Sequence, residues 1–175
     1  MLDKSRLKGE SLRNTKTLTG ASFLVALTVV LNFFRIIISN TNQILFSYLG
    51  VALAGFLYGP IIGGAVAGIA DILGFIIKPS GPFFIGFTFN AVLSGVIYGL
   101  FFYKKQPKFS RVLLCCIIEG VIINLILTPF WLKIMYGTSL FAVARIIKFV
   151  TLLPLKVILI YFVTNALYKS KKFEV

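Results

Sequence analysis

Histidine is absent from the sequence, and only five of its 175 residues are acidic, against eighteen lysines and arginines. Charged residues make up 13% of the chain, whereas a soluble domain usually has about 25%. So few charges cannot cover a surface that faces water, which excludes an ordinary soluble domain. The only two cysteines, Cys115 and Cys116, are adjacent within an apolar run, so we expect packing residues rather than a disulfide or metal pair. With no histidine and no spaced carboxylates, we expect no metal site and no resident cofactor.

Motifs for catalysis are also missing. The chain has no phosphate-binding lysine motif, no histidine base and no pair of acids at a useful spacing. Its glycine-rich stretches lie inside apolar runs, which favours helix packing over phosphate binding, and we expect a protein that is not an enzyme. A membrane enzyme acting on lipid is the remote alternative. It would need clustered ligands near the headgroups, whereas three of the five acids lie in the polar ends: Asp3, Glu10 and Glu174.

Apolar runs dominate what is present, since 58% of residues are hydrophobic and the mean hydropathy is +0.97. A helix that spans a membrane needs ~20 mostly apolar residues. The runs lie at residues 18–38, 44–58, 61–77, 83–103, 112–132 and 141–168. The sequence therefore predicts one all-α integral membrane domain, a six-transmembrane-helix bundle over 18–168. A basic N-terminal segment, 1–17, precedes it and a short tail, 169–175, follows it.

Small residues recur at three- and four-residue spacing in the third and fourth runs. They are Gly63, Gly64, Ala67, Gly68, Ala70 and Gly74, followed by Ala91, Gly95 and Gly99. Small faces let helices approach closely in lipid, where packing replaces the hydrophobic effect. Proline predicts two breaks: Gly59 and Pro60 predict a turn between two runs, and Pro129 predicts a kink near the end of the fifth.

The net charge of +13 would suggest nucleic acid in a soluble protein. Here the basic residues cluster between the apolar runs, and twelve of them fall in the N-terminal segment, the 104–111 loop and the tail. Six spans would place these three segments on one side of the membrane. By the positive-inside rule that side is the cytoplasm. We therefore expect both termini in the cytoplasm, a plasma-membrane location and no nucleic-acid partner.

Charges inside apolar spans are costly, so each is a functional hypothesis. The spans contain Arg35, Asp71, Glu119, Arg145, Lys148 and Lys156. We place Arg35, Asp71, Arg145 and Lys148 in the outer half of the bundle, with Arg145 and Lys148 on one helix face. Asp71 is either a ligand contact or the structural partner of one of these two cations. We interpret the deeper residues, Glu119 and Lys156, as a structural ion pair.

The same outer region contains aromatic and hydrogen-bonding residues. They are Phe83, Phe84, Phe87, Thr88, Asn90, Trp131 and Tyr136, with Lys78 and Lys133 at the border. A pocket with cations and aromatic rings suits a flat heteroaromatic ligand that carries carboxylates, because cations pair with carboxylates and rings pack on rings. The alternative for these residues is structural. Aromatic residues at membrane ends often anchor the interface, and the long cations can extend to the headgroups.

Several stretches resemble the substrate-binding S components of energy-coupling factor (ECF) vitamin transporters. The resemblance lies in residues 52–60 (ALAGFLYGP), in Gly63–Gly64 and in residues 70–74 (ADILG). The run 82–100 (PFFIGFTFNAVLSGVIYGL) with Lys104 and Lys105 is similar to the folate branch. Further matches are Trp131–Leu132, Tyr136–Gly137, and Arg145 to Lys148 ahead of Leu153–Pro154. The resemblance covers about residues 15–168.

The resemblance implies a six-helix bundle that binds a vitamin, here folate, near the extracellular side. It implies gating loops at 39–43, 78–82 and 133–140, with Asn40, Gln43, Lys78, Gly81 and Tyr136 as gating residues. The implied contacts to folate are Arg35, Asp71, Phe83, Phe84, Asn90, Trp131, Arg145 and Lys148. An S component for another vitamin or small molecule is the alternative.

The resemblance also implies partners, namely a membrane coupling protein and two ATPases that power uptake in a bacterial plasma membrane. Members of the family often dock the coupling protein through an Ala-x-x-x-Ala patch on the first helix. This chain has Ser22 and Ala26 at the two places. Serine is still small, so we expect these two residues to form the docking patch.

Overall fold

The computed structural model describes residues 14–39, 42–79, 82–137 and 143–173. Helices account for most of this part of the chain, with one short two-stranded sheet. The elements are α1 Thr15–Phe33, β1 Arg35–Ser39, β2 Asn42–Leu45, α2 Ser47–Tyr58, α3 Pro60–Ile77, α4 Ile85–Phe102, α5 Phe109–Glu119, a π-helical segment Gly120–Leu127, α6 Thr128–Tyr136 and α7 Val143–Phe173.

Five stretches of the described chain are helical, long and apolar enough to cross a membrane. They are Thr15–Phe33, Pro60–Ile77, Ile85–Phe102, Phe109–Met135 and Phe149–Lys169. The prediction of a multi-span helical membrane protein is thereby confirmed. The sixth apolar helix, α2, has only 12 residues, which is ~18 Å of helix against a hydrocarbon core of ~30 Å. This helix alone cannot reach across the bilayer.

The boundary between the first two runs differs from the prediction. α1 ends at Phe33, and residues 35–39 and 42–45 form an antiparallel hairpin in which Ile36 pairs with Ile44. The prediction that the first helix continues to residue 38 is therefore wrong, and Arg35 lies in β1 rather than in a helix. Three consecutive β-branched residues, 36–38, favour a strand, and periodicity cannot separate a short strand from a helix end.

Two later boundaries also differ. α6 continues to Tyr136 and ends at Gly137, whose φ of 63° gives a left-handed C-cap. The loop predicted at 133–140 thus begins as helix, and Lys133 lies in the last turn of α6. α7 continues to Phe173, so residues 169–173 of the predicted tail are helical.

The two stripes of small residues lie where α3 packs against α4. A Cβ atom on Gly63 would lie 2.8 Å from the carbonyl oxygen of Gly95, and a Cβ atom on Gly95 would overlap the carbonyl of Gly63. The predicted close approach of the third and fourth runs is confirmed. The predicted turn is also present: Gly59, with φ 94°, ends α2, and Pro60 begins α3, a position that needs no N–H donor.

A buried ion pair joins the second half of the bundle to the first. The Lys156 ammonium on α7 lies 2.6 Å from the Glu119 carboxylate at the end of α5, and the two side chains are 18% and 7% exposed. The Ser94 hydroxyl on α4 donates to the other Glu119 oxygen at 3.1 Å. The Lys156 ammonium also lies over the rings of Tyr48 and Tyr98, at 5.4 and 5.7 Å from their centroids. The predicted structural pair is confirmed, and it connects three helices.

Adding a methyl group at the seam between α3 and α4 tests the close approach. Gly95→Ala should lower the free energy of unfolding by about 1–3 kcal/mol through overpacking, although alanine favours helix more than glycine does. Thermal unfolding in detergent measures the change. Ala65→Val, which adds volume on the exposed face of α3, is the control and should have little effect. A stabilised Gly95→Ala protein would contradict the packing.

The buried ion pair leads to a second prediction, about the free energy of unfolding. Lys156→Met leaves Glu119 buried without its partner and should cost about 3–5 kcal/mol of unfolding free energy. The double variant Glu119→Leu with Lys156→Met removes both charges and should recover most of that loss, because a buried pair is often replaceable by apolar residues. Lys169→Met, at an exposed position of the same helix, is the control. A double variant as unstable as Lys156→Met would contradict the pairing.

Candidate functional site

An aromatic and polar cluster connects the start of α4 to α6. We call Phe84, Asn90, Thr128 and Trp131 the indole cluster. The Trp131 indole N–H donates to Asn90 Oδ1 at 3.0 Å, and Asn90 Nδ2 donates to Thr128 Oγ1 at 3.3 Å. Asn90 is 6% exposed, so both polar ends of its amide are satisfied inside the protein, as burial requires. The structure therefore brings together two of the predicted site residues, Asn90 and Trp131.

Phe84 completes the cluster on the aromatic side. Its ring centroid lies 5.6 Å from that of Trp131 with an interplanar angle of 57°, a geometry in which aromatic pairs attract. Gly86 makes this approach possible, because a Cβ atom there would lie 2.7 Å from Trp131 Cδ2. Phe84 and Trp131 are both only half-buried. Their rings therefore offer a partly open aromatic surface.

Asp71 lies on the other side of α4, in the C-terminal half of α3. Its Oδ2 accepts a hydrogen bond of 2.8 Å from the Thr88 hydroxyl. Within the described part of the chain, no hydrogen bond to its second oxygen, Oδ1, is present. The half-buried carboxylate thus keeps an acceptor for an N–H donor. The first two turns of α4 hold an acidic group on one side and the indole cluster on the other.

Two further predicted site residues lie in the same region but outside this cluster. Phe83 packs against Phe75, with ring centroids 5.1 Å apart, and is 49% exposed. Lys78 follows the last residue of α3 and is exposed. Within the described residues neither side chain has a hydrogen bond, ion pair or ring contact with the indole cluster, so their roles stay predictions.

The predicted cations are described by their backbone alone. Arg35 lies in β1, and Arg145 and Lys148 lie in the first turns of α7. Whether Asp71 pairs with Arg145 or Lys148 rests on side chains outside the described part of the chain, and the pairing stays a prediction. Among the predicted gating residues, Gln43 lies in β2 and Tyr136 ends α6. Two others, Asn40 and Gly81, lie outside the described residues.

The predicted docking residues Ser22 and Ala26 are both exposed on α1, one helical turn apart. Phe23, beside them, is 67% exposed. This face of α1 is therefore free of contacts with the described bundle.

Sequence reasoning missed Thr128, Gly86 and the tyrosines that face Lys156. Thr128 had a weak signal, because it directly precedes Pro129 and a hydroxyl next to a helix proline often bonds backward to the backbone. The sequence also indicates Gly86 weakly, since this glycine interrupts an aromatic run from Phe83 to Phe89. Nothing in the sequence indicates the π-helical segment, because its residues continue the apolar run without a break.

The arrangement is suited to binding rather than to bond making. Aromatic faces and a carboxylate acceptor can hold a flat ring with N–H donors along one edge. Within the described residues, no three His, Cys, Asp or Glu side chains are grouped so that they could hold a metal ion.

Two relatives with assigned names cover most of the chain. The folate transporter FolT of Clostridium novyi (strain NT) is 37% identical over 142 residues, 80% of this chain and 83% of that protein. The folate transporter FolT of Leuconostoc mesenteroides is 32% identical over 161 residues, which is 87% of this chain and 86% of that protein.

Solved structures show the same fold. The crystal structure of FolT bound with folic acid superposes with a TM-score of 0.80 at 38% identity, over 87% of this chain and 95% of that one. The S component for biotin from an ECF-type ABC transporter superposes with a TM-score of 0.66 at 21% identity, over 91% and 94% of the two chains.

The family model agrees with these likenesses. Residues 16–170 match the model of the ECF transporter substrate-specific component, a range that includes every described element from α1 to most of α7. The chain therefore belongs to the substrate-specific components of ECF transporters.

Proposed function

We propose that this chain is a folate-binding S component, which captures folate outside the cell for uptake driven by partner ATPases. The observation that carries the proposal is the 38% identity to a folate-bound FolT structure over 87% of this chain. The two curated FolT relatives support the same ligand. The geometry of the site gives a chemical reason for it.

Folate combines a flat pterin ring, a second aromatic ring and a glutamate with two carboxylates. The pterin edge has amino and ring N–H donors. The free oxygen of Asp71 is an acceptor for such donors, and a hydrogen bond to a charged acceptor is among the stronger ones. The partly open rings of Phe84 and Trp131 offer faces for an aromatic ligand. We assign the pterin end of folate to this region.

The glutamate end needs cations. Arg145 precedes Lys156 by eleven residues on α7, which is about three helical turns. Lys156 points into the bundle toward Glu119, and this spacing supports a position for Arg145 on the same side of α7. We propose that Arg145, Lys148 and Arg35 pair with the folate carboxylates, as charge-assisted hydrogen bonds favour.

The proposal includes a topology. We propose six transmembrane segments with both termini in the cytoplasm, in which α2 and the hairpin of β1 and β2 together occupy the second crossing. The basic residues at the N-terminus, in the 104–111 loop and after residue 168 support this orientation by the positive-inside rule. The segments 39–43, 78–82 and 133–140 then lie outside, where we propose that they close over the ligand.

The chain alone has no means to drive uptake. We propose that it joins a membrane coupling protein and two ATPases, that ATP is hydrolysed only by these partners, and that the complex is in the bacterial plasma membrane. The bacterial relatives support this location. The exposed face of α1 with Ser22 and Ala26 is the proposed contact for the coupling protein.

A different vitamin is the competing ligand. The likeness to the biotin S component at 21% identity shows that one fold accommodates unlike ligands, so the fold alone does not select folate. The acceptor at Asp71 on one side of α4 and the aromatic faces on the other favour an aromatic ligand with N–H donors.

Folate binding by the purified chain in detergent, without partners, tests the proposal directly. Trp131 is the sole tryptophan of the sequence, so quenching of tryptophan fluorescence reports on the site itself. We expect saturable quenching by folate and none by biotin or thiamine. If folate fails to bind while another vitamin binds with saturation, the folate assignment is wrong and the S-component assignment stands.

The role of Asp71 is tested by Asp71→Asn. This change replaces an acceptor oxygen with a donor NH₂ group and should weaken folate binding about tenfold to a hundredfold, because a hydrogen bond to a charged group contributes about 1.5–3 kcal/mol. Asp3→Asn removes the same charge from the N-terminal segment and is the matched control. Equal folate affinity in Asp71→Asn and the wild type would contradict the assigned contact.

A further inference from the structure

The fourth long helical stretch, Phe109–Met135, contains a π-helical segment of eight residues, Gly120–Leu127, between α5 and α6. A π-turn closes its hydrogen bond across one more residue than an α-turn, and such turns occur frequently at functional sites. Each extra residue rotates the helix that follows by about 100° relative to a continuous α-helix. The π-helical segment therefore determines which side chains of α6 face α4.

Contacts at both ends hold the segment in place. At its start, a Cβ atom on Gly120 would overlap the Phe149 ring of α7, so the glycine lets α7 approach. At its end, both the backbone N–H and the hydroxyl of Thr128 donate to the carbonyl oxygen of Ile123, the hydroxyl at 2.7 Å. The next residue, Pro129, has no N–H to continue the ladder.

The hydrogen bonds of the indole cluster have only one possible direction. An indole N–H can only donate, so the Asn90 atom that it meets is the oxygen Oδ1. The NH₂ group of Asn90 then faces Thr128, whose hydroxyl hydrogen is already donated to Ile123. The chain of donors runs from Trp131 to Asn90 Oδ1, and separately from Asn90 Nδ2 through Thr128 to the Ile123 carbonyl. The orientation of the Asn90 amide thus depends on contacts at both of its ends.

We infer that Thr128 is a positioning residue for the ligand site: it couples the end of the π-helical segment to Asn90, and through Asn90 it holds the Trp131 indole against Phe84. The inference rests on the proposed ligand-binding function. Thr128 and Trp131 are three residues apart on α6, so both face α4 only in the rotation that the π-helical segment gives. Thr128 itself contacts the backbone and Asn90, and its effect on a ligand is exerted through Trp131.

The test compares Thr128→Val with Thr128→Ser. Valine keeps the shape and removes the hydroxyl, so the Asn90 amide loses one anchor and the indole N–H loses its fixed acceptor. In the ligand-free protein we expect a shifted Trp131 emission maximum and faster quenching by acrylamide. Folate binding should weaken about tenfold, the equivalent of one hydrogen bond of about 1.4 kcal/mol. Thr128→Ser keeps the hydroxyl and should restore the emission and the affinity.

Thr164→Val is the matched control. The Thr164 hydroxyl is also buried and donates to a backbone carbonyl one turn earlier, that of Ile160, at 2.7 Å. Its loss should change neither the indole emission nor folate binding. If Thr128→Val fails to fold, Asn90→Ala breaks the same coupling from the α4 side and should give the same emission shift.

A double-variant cycle separates positioning from general destabilisation. If Thr128 acts through Trp131, Thr128→Val should weaken folate binding much less in a Trp131→Phe background than in the wild type. Calorimetry measures binding in this cycle, since Trp131→Phe removes the fluorophore. Equal losses in both backgrounds, or an unchanged indole emission in folded Thr128→Val protein, would overturn the inference. The emission shift needs no ligand, so it is measurable even if the wild type does not bind folate, and that result would count against the proposed function alone.

Discussion

Polar groups inside this bundle have to find their partners within the protein, because lipid offers none. In the described structure buried threonine hydroxyls donate to carbonyls of their own helix, whereas the carboxylates and the Asn90 amide pair across helices. Glu119 receives Lys156 from α7 and Ser94 from α4, Asn90 receives Trp131 from α6, and Asp71 receives Thr88. Each pairing connects two different helices. The same groups therefore give the bundle its specificity and place the polar part of the candidate site.

Much of the fold was predictable from simple composition and spacing. The apolar runs predicted the long helices, and the small-residue stripes predicted the contact between α3 and α4. Gly59 with Pro60 predicted the turn between α2 and α3. The hairpin was not predictable, because the strand preference of Ile36 to Ile38 is weak beside the apolar run that they continue, until a partner strand is known. Strand pairing depends on tertiary contacts, which local periodicity does not indicate.

The candidate site was predictable in its residue types and less so in its geometry. A charge in an apolar span has a high cost, which is why Asp71, Glu119 and Lys156 could be selected from sequence and why the Glu119–Lys156 pair was foreseen. Asn90 and Trp131 were selected as ligand contacts, whereas the structure shows that they contact each other. Their pairing depends on the rotation of α6 after the π-helical segment, and no residue type marks such a segment. The resemblance to a family supplied the ligand, which the bare residues described only as flat, aromatic and acidic.

The shortness of α2 has a consequence for the hairpin that precedes it. A helix of 12 residues fills little more than half of the hydrocarbon thickness, and in the proposed topology the strand pair occupies the rest of that crossing. Two strands pair along one side only, which leaves the opposite edge of each with main-chain amides and carbonyls outside the ladder. Such edges do not face lipid. In the proposed topology the hairpin therefore turns these edges toward neighbouring helices or water, where its main-chain groups can meet a solute.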